Sequence, residues 1–352
     1  MLGDISSLEG YDQPAVTQWP YMDINFDDYS IPIFLAGQEE MEVTICADEG
    51  ELGWPHPKFG MEELGGPMVM SAPAGSVRPA GPENTDADAH LVLYDPEEQV
   101  EWDLFYAVTA QRGECLSDGG GITGDTIFAA GVVDQFHLEG PGANIDGYYS
   151  ARAHGTPLLA GLIIPEDIEA GMIAHALAFA IPGPRNTSPD PFEPLSTDYF
   201  YPASTTETDY FNTDPFALAA GQRIRLKPTL VNEDGQPIDE DQFSPITQIF
   251  LEALRTYGAY LVDNAGGFSF YAEDVHTGSL DLTDEEVNRL IGAAPGTPLP
   301  QDRTHWMIVM EHLGEELSRI PIAYGPWEEQ EDPETATMTA SNFEVIQPAL
   351  AP

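Results

Sequence analysis

Four side chains of the kinds that move protons stand at Asp88, His90, Asp103 and His175. Asp88 and His90 open the first of two adjacent strand-like runs, Asp103 falls in the second, and His175 opens a third, so strand pairing can gather acids and imidazoles at one place. Two carboxyls about 5 Å apart, or about 6.5 to 9.5 Å apart, would serve glycoside hydrolysis with retention or inversion. A histidine or tyrosine beside a cation suits proton abstraction next to a uronate carboxylate instead. Tyr201 is the candidate acid for that scheme, and Arg225 or Lys227 the neutralising cation. Trp102, Asp263 and Asn264 join Arg225 and Lys227 as candidate substrate-binding residues. Among 60 acidic residues two will often be neighbours by chance, and a histidine in an apolar strand is more often a hydrogen-bonded core residue than a catalyst.

Other chemistries find less in the sequence. Asp86 and Asp88, and the run Asn232-Glu233-Asp234-Gly235-Gln236-Pro237-Ile238-Asp239-Glu240-Asp241, could offer oxygens to calcium, the one cofactor the sequence suggests. Pro237 and Ile238 interrupt the alternation of an EF-hand loop, and a solvated acidic turn accounts for the run better. His137 and His154 are not in a zinc-site spacing. Gly119-Gly120-Gly121 lacks the lysine of a phosphate loop, and no serine sits in a nucleophile elbow. Cys46 and Cys115 have no catalytic partner motif, and one disulfide or two buried thiols suit them equally. Trp19, Trp54, Trp306 and Trp327, with Tyr148, Tyr149 and the 199–201 aromatic run, are of a type that stacks on sugar rings or fills a core.

The elements that must position these groups are mostly strands. Thirty-three glycines and 31 prolines recur throughout, favouring short strands joined by turns over a helical bundle. Residues 90–94 and 100–108 read as a hairpin around an Asp95-Pro96-Glu97-Glu98 turn, and 175–181 and 223–227 as further strands. Residues 259–262 and 268–271 read as a second hairpin, turning at 263–267. Proline and glycine bracket a short helix at 165–171. Apolar residues at three- and four-residue spacing predict a longer one at 244–257, ended by Gly258, and Thr283 caps a third at 284–291. The expected fold is mostly β, sandwich- or jelly-roll-like, with a few short helices. Its expected divisions are a proline-punctuated N-terminal section, 1–85, packed on a main domain, 86–352, with an acidic loop at 327–339.

Sixty acidic against 12 basic side chains in 352 residues give a formal charge of −48. Such a body repels itself in dilute buffer, whereas molar salt shortens the screening length to about 3 Å and removes most of that cost. Apolar residues at 42% and aromatics at 10% are too many for an acidic disordered chain. Nucleic acid and anionic membrane are repelled, no apolar run reaches the roughly 18 residues of a membrane span, and no Lys/Arg cluster forms a phosphate track. The start, Met1-Leu2-Gly3-Asp4, lacks the features of a secretory signal, which leaves a cytoplasmic protein or one whose signal has been removed.

The order of several motifs resembles a poorly characterised family of secreted bacterial and fungal proteins, some associated with carbohydrate-binding modules. The matching pieces are Asp88-Ala89-His90, Trp102-Asp103-Leu104-Phe105, Gly155-Thr156-Pro157-Leu158, Gly171-Met172-Ile173-Ala174-His175, Tyr201-Pro202-Ala203, the 223–227 and 253–258 runs, Asp263-Asn264 and the 341–345 run. The chain departs from the family pattern at His137, Asn144 and Arg152. The resemblance implies an extracellular or cell-surface location, a β-rich fold and polysaccharide or oligosaccharide as ligand. The resulting expectation is a salt-adapted glycoside hydrolase or polysaccharide lyase, with a non-catalytic carbohydrate-binding or surface protein as the alternative. If the charge is an adaptation to salt, raising sodium chloride from 0.1 M to about 3 M will raise the melting temperature by at least about 5 °C; an equal or lower value in high salt, measured by calorimetry, refutes the adaptation.

Overall fold

The computed structural model describes residues 21–35, 39–45, 68–72, 79–80, 88–105, 107–110, 127–130, 132–140, 150–187, 199–206, 212, 217–324 and 340–346. The Trp54–Pro57 turn, the 119–121 glycine run, the 327–339 loop, Asp86, Asn144 and both cysteines lie outside them. The first half holds β1 (Asp23–Asn25), β2 (Ile33–Leu35), β3 (Glu39–Ile45), β4 (Met68–Ala72), β5 (Leu91–Asp95), β6 (Val100–Phe105), β7 (Val108–Ala110), β8 (Ile127–Ala130) and β9 (Val132–His137). The second holds α1 (Pro165–Glu169), β10 (Leu177–Ile181), β11 (Arg223–Leu226), α2 (Pro245–Thr256), β12 (Ala259–Asn264), β13 (Ser269–Tyr271), α3 (Asp284–Leu290), α4 (His305–Leu317), β14 (Ala323–Tyr324), β15 (Ala340–Ser341) and β16 (Phe343–Ile346). The β-rich class with a few helices is the one expected.

A six-stranded mixed sheet, ordered β1-β13-β10-β12-β11-β16, forms the centre. Alternation along β10 sends Leu177, Phe179 and Ile181 to one face and Ala178 and Ala180 to the other. Against the first face pack Phe250 and Leu254 of α2, Val287 of α3, and Trp306, Val309 and Leu313 of α4. Against the second lie Val92 and Phe105 of a four-stranded sheet, β2-β5-β6-β9, together with Leu158 and Leu162 of the irregular 150–164 segment. The six-stranded sheet therefore separates a helical layer from a smaller sheet. Both β1 and β2, from the N-terminal section, are built into these sheets.

The expected 90–108 hairpin is present as β5 and β6, with β6 ending at Phe105. Its turn is set by Asp95, whose Oδ1 accepts the amides of Glu97 at 2.9 Å and Glu98 at 3.0 Å. The expected hairpin between β12 and β13 is not: β10 lies between them, parallel to β12 and antiparallel to β13. The connection is short enough for a hairpin, but the most apolar strand takes the central place, where all five of its residues are buried. The α1, α2 and α3 helices match their predicted positions, and Thr283 caps α3 as expected, in a capping box completed by Glu286. Helix α4 was not anticipated. Among the described residues no helix is long and apolar enough to cross a membrane.

Gly258, with φ +72°, ends α2 and passes so close to β11 that an added Cβ would lie 2.2 Å from the Ile224 carbonyl oxygen. Gly258→Ala will lower unfolding free energy by about 2 kcal/mol or more in a urea titration; a change below about 0.5 kcal/mol would show that the strand yields.

Candidate functional site

The site grows from the strand period. Glu101 and Asp103, two apart on β6, point to the same side of the small sheet, and neither has any exposed surface. Their carboxyls hydrogen-bond each other. Each also accepts a main-chain amide from the 150–164 segment: Leu158 N–H donates to Asp103 Oδ2 at 2.7 Å and Leu159 N–H to Glu101 Oε1 at 2.7 Å. Burial pushes Asp103 well above the usual carboxylate range, and Glu101 beside it pushes further. Glu101 is raised by burial but lowered by the hydrogen bond from Asp103. Of the two, Asp103 is the one held more strongly toward its protonated form, because two adjacent carboxylates away from water resist ionising together. Asp134 of β9, directly across the ladder from Asp103, strengthens the bias.

Arg152 faces this pair and is fully buried. Its Nη1 donates to the carbonyls of Pro157 at 2.9 Å and Ala160 at 2.7 Å, so the chain winds around the guanidinium. Nε and Nη2 have no hydrogen-bond partner. The guanidinium carbon lies 5.0 Å from the centroid of the Tyr271 ring. Burial lowers the Arg152 pKa, while Tyr271, Asp263, Asp103 and Glu101 raise it.

Asp263, in β12, accepts the amides of Asn264 at 2.9 Å and Ala153 at 3.3 Å through Oδ1. Burial, with the nearby charge of Asp88 second, pushes its carboxyl up to about 7. Asp88 is likewise raised by burial, against the opposing effect of His90. His90 is buried, its Nε2 is 3.1 Å from the Ala151 carbonyl, Nδ1 is unpartnered, and burial lowers its pKa. His154, on the same segment, is held down to about 4 by burial and is a neutral imidazole at neutral pH.

Of the residues singled out in the sequence, Asp88, His90, Asp103 and Asp263 thus form one electrostatically linked group, and Asn264 adjoins it with its Oδ1 accepting Gly183 N–H at 2.9 Å. Others fall elsewhere. Trp102 sits on the opposite face of β6 from Asp103 because neighbouring residues of a strand alternate. His175 precedes β10 and is half-exposed, with Nε2 3.0 Å from Asp167 Oδ2, a contact that raises its pKa. It lies five residues, or roughly 17 Å of strand, from the level of Asp263. Arg225 is paired across the sheet with Glu344, its Nε donating at 2.9 Å, and Lys227 follows on the same distant end of β11. Tyr201 is exposed on the turn 199–206.

Glu101, Arg152, His154 and Tyr271 were not in the predicted catalytic or substrate-binding set. Glu101 was within reach, since carboxyls at i and i+2 of a predicted strand share a face; Arg152 lies in irregular chain and carries no periodic signal. Among the described residues no group of three or more His, Cys, Asp or Glu side chains is arranged to hold a metal ion. In the 232–241 run, Asn232 Oδ1 accepts the amides of Asp234 and Gln236, Asp239 accepts that of Asp241, and Glu240 pairs with Arg255. Those oxygens fold the turn.

Comparison of the chain with protein families, with curated proteins and with solved structures gives no match in any of the three.

Chemically, the cluster can store a proton and anchor a buried cation. Its Glu101–Asp103 pair has no exposed surface and is shut away from a polymer. The raised pKa of Asp263 makes the folded state bind a proton between about pH 4 and about 7 that the unfolded state has released, so its contribution to stability is full below about 4 and lost as pH rises through about 7. Glu273, raised to about 7 mainly by burial, acts with the same sign. At constant molar salt, the urea midpoint will therefore fall from pH 5 to pH 8, and Asp263→Asn will flatten that fall; an unchanged slope in the variant would remove Asp263 from the account.

Proposed function

We propose that this chain is a salt-adapted carbohydrate-binding protein of the extracellular or cell-surface medium, with a polysaccharide or oligosaccharide as ligand. The observation that carries the reading is the pair of aromatic rings on the 199–206 turn: Phe200 is 41% and Tyr201 57% exposed, on a main chain that is already fixed. Phe200 N–H donates to the Ala220 carbonyl at 2.8 Å, Ala203 N–H to that of Phe200 at 2.9 Å, and Ser204 N–H to that of His154 at 3.1 Å. Gly221 packs under the turn so closely that a Cβ would meet the Phe200 carbonyl oxygen at 1.7 Å. Aromatic rings on a pre-ordered turn bind sugar faces with little further loss of conformational entropy. The resemblance to secreted proteins associated with carbohydrate-binding modules supports the same ligand class.

A second reading, hydrolase or lyase, is favoured by the Asp263 carboxyl, which changes protonation at about 7 beside Asp88 and Arg152. Two assays separate the readings. Affinity electrophoresis in gels containing neutral or uronate polysaccharides, run at high salt, will show retardation that Phe200→Ala and Tyr201→Ala each weaken by about tenfold without lowering the melting temperature; retardation unchanged in both variants refutes the aromatic platform. Release of reducing ends or unsaturated sugars, abolished by Asp263→Asn, would instead establish the enzyme.

A further inference from the structure

Four buried side-chain atoms near the aromatic turn have no hydrogen-bond partner: His154 Nε2, Thr156 Oγ1, Ser204 Oγ and Thr206 Oγ1. His154, Thr156 and Thr206 are at most 1% exposed and Ser204 is 8% exposed. They come from two segments that touch, since Ser204 N–H donates to the His154 carbonyl at 3.1 Å, and the second segment continues directly from Phe200 and Tyr201. A buried hydroxyl or imidazole without a partner costs about 1 to 3 kcal/mol, so four of them on two touching segments call for something else to supply the bonds.

We infer that these four groups form a subsite for one neutral, hydroxyl-rich unit, a sugar residue without a carboxylate, beneath the Phe200–Tyr201 turn. The inference rests on the carbohydrate reading and narrows it to a substrate class. Each of the three hydroxyls both donates and accepts. His154, neutral above about pH 4, donates Nδ1–H to the Leu261 carbonyl at 3.4 Å and so presents Nε2 as an acceptor. Such a set matches the two-way hydrogen bonding of sugar hydroxyls. A uronate would bring an uncompensated charge to a place furnished only with neutral groups, close to the acidic Asp263 and Asp88. Binding needs only the 204–206 end of the turn to part from His154, at the described main-chain contact between the two segments, while the Phe200 and Ala203 bonds keep the rings in place. The rings of Phe200 and Tyr201 then cover the bound unit from the solvent side.

The test is calorimetric titration of the full chain at high salt with neutral gluco-, manno- and xylo-oligosaccharides and with an oligogalacturonate. Variants are Thr156→Val, Thr206→Val and Ser204→Ala, beside Phe200→Ala. The expected result is binding of a neutral oligosaccharide, weakened by about tenfold or more in the Thr156→Val/Thr206→Val pair. The unliganded melting temperature of that pair should stay level or rise, because unpaired buried hydroxyls have been replaced by methyl groups. A drop in melting temperature would show that the hydroxyls serve the fold, and would overturn the inference. Neutral binding weakened by Phe200→Ala but not by the valine pair, tighter binding of the uronate, or a co-crystal with only ordered water at the four atoms would each overturn the subsite and leave the surface reading standing. Binding of no oligosaccharide at all would remove both.

Discussion

A guanidinium withdrawn entirely from water is the constraint around which the interface of the two sheets is arranged. An isolated buried cation would carry a desolvation penalty of several kcal/mol, and a buried pair recovers it only with close partners and satisfied hydrogen bonds. Arg152 meets that demand partly through carboxyls from both sheets and partly through the carbonyls of Pro157 and Ala160. The same segment then turns its Leu158 and Leu159 amides toward Asp103 and Glu101. Irregular chain between two sheets would otherwise leave unpaired main-chain groups; here the ionisable cluster pairs them. The bias of Asp103 toward its protonated form matters to this arrangement, since it lowers the negative charge that the acid pair sets against Arg152.

The wider surface follows another rule. With 12 basic residues against 60 acidic ones, most carboxylates have no Lys or Arg to meet. Among the described guanidinium groups outside the cluster, Arg225 pairs with Glu344 and Arg255 with Glu240. Several imidazoles also lie against acids: His175 by Asp167, His276 by Asp274 and His305 by Asp284, each a counter-charge when protonated. The interior cluster is withdrawn from solvent ions by burial and the exterior is not, so salt acts on the surface charges first.

Local chemistry was legible in the sequence, and long-range order was less so. Asp95 announced its turn, Thr283 its helix cap, and the apolar spacing of Ile246, Phe250 and Leu254 the face that α2 buries. The grouping of Asp88, His90 and Asp103 could be anticipated because hairpin pairing is a nearest-neighbour event. Arg152 could not, because nothing in residues 150–164 repeats and its partners come from strands about fifty residues before it and more than a hundred after. Trp102 illustrates the converse: adjacency in sequence to Asp103 sends it to the other face. The β12–β13 hairpin misled for a related reason, since a short turn can bridge two strands that leave room for a third.

That third strand has a kinetic consequence. In a hairpin, chain closure is local and fast; here β10, at residues 177–181, must settle between strands at 259–264 and 269–271 before the centre of the sheet has its hydrogen bonds. Each pairing closes a loop of about eighty to ninety residues, so the entropy of closure falls early in folding and the stabilising contacts come late. Until that insertion, β12 and β13 expose apolar edges that suit any extended segment, including one from another molecule. The topology thus makes residues 177–181 the slow, decisive arrival in the folding of this chain, and makes dilute, unhurried refolding the condition under which it will reach its own sheet.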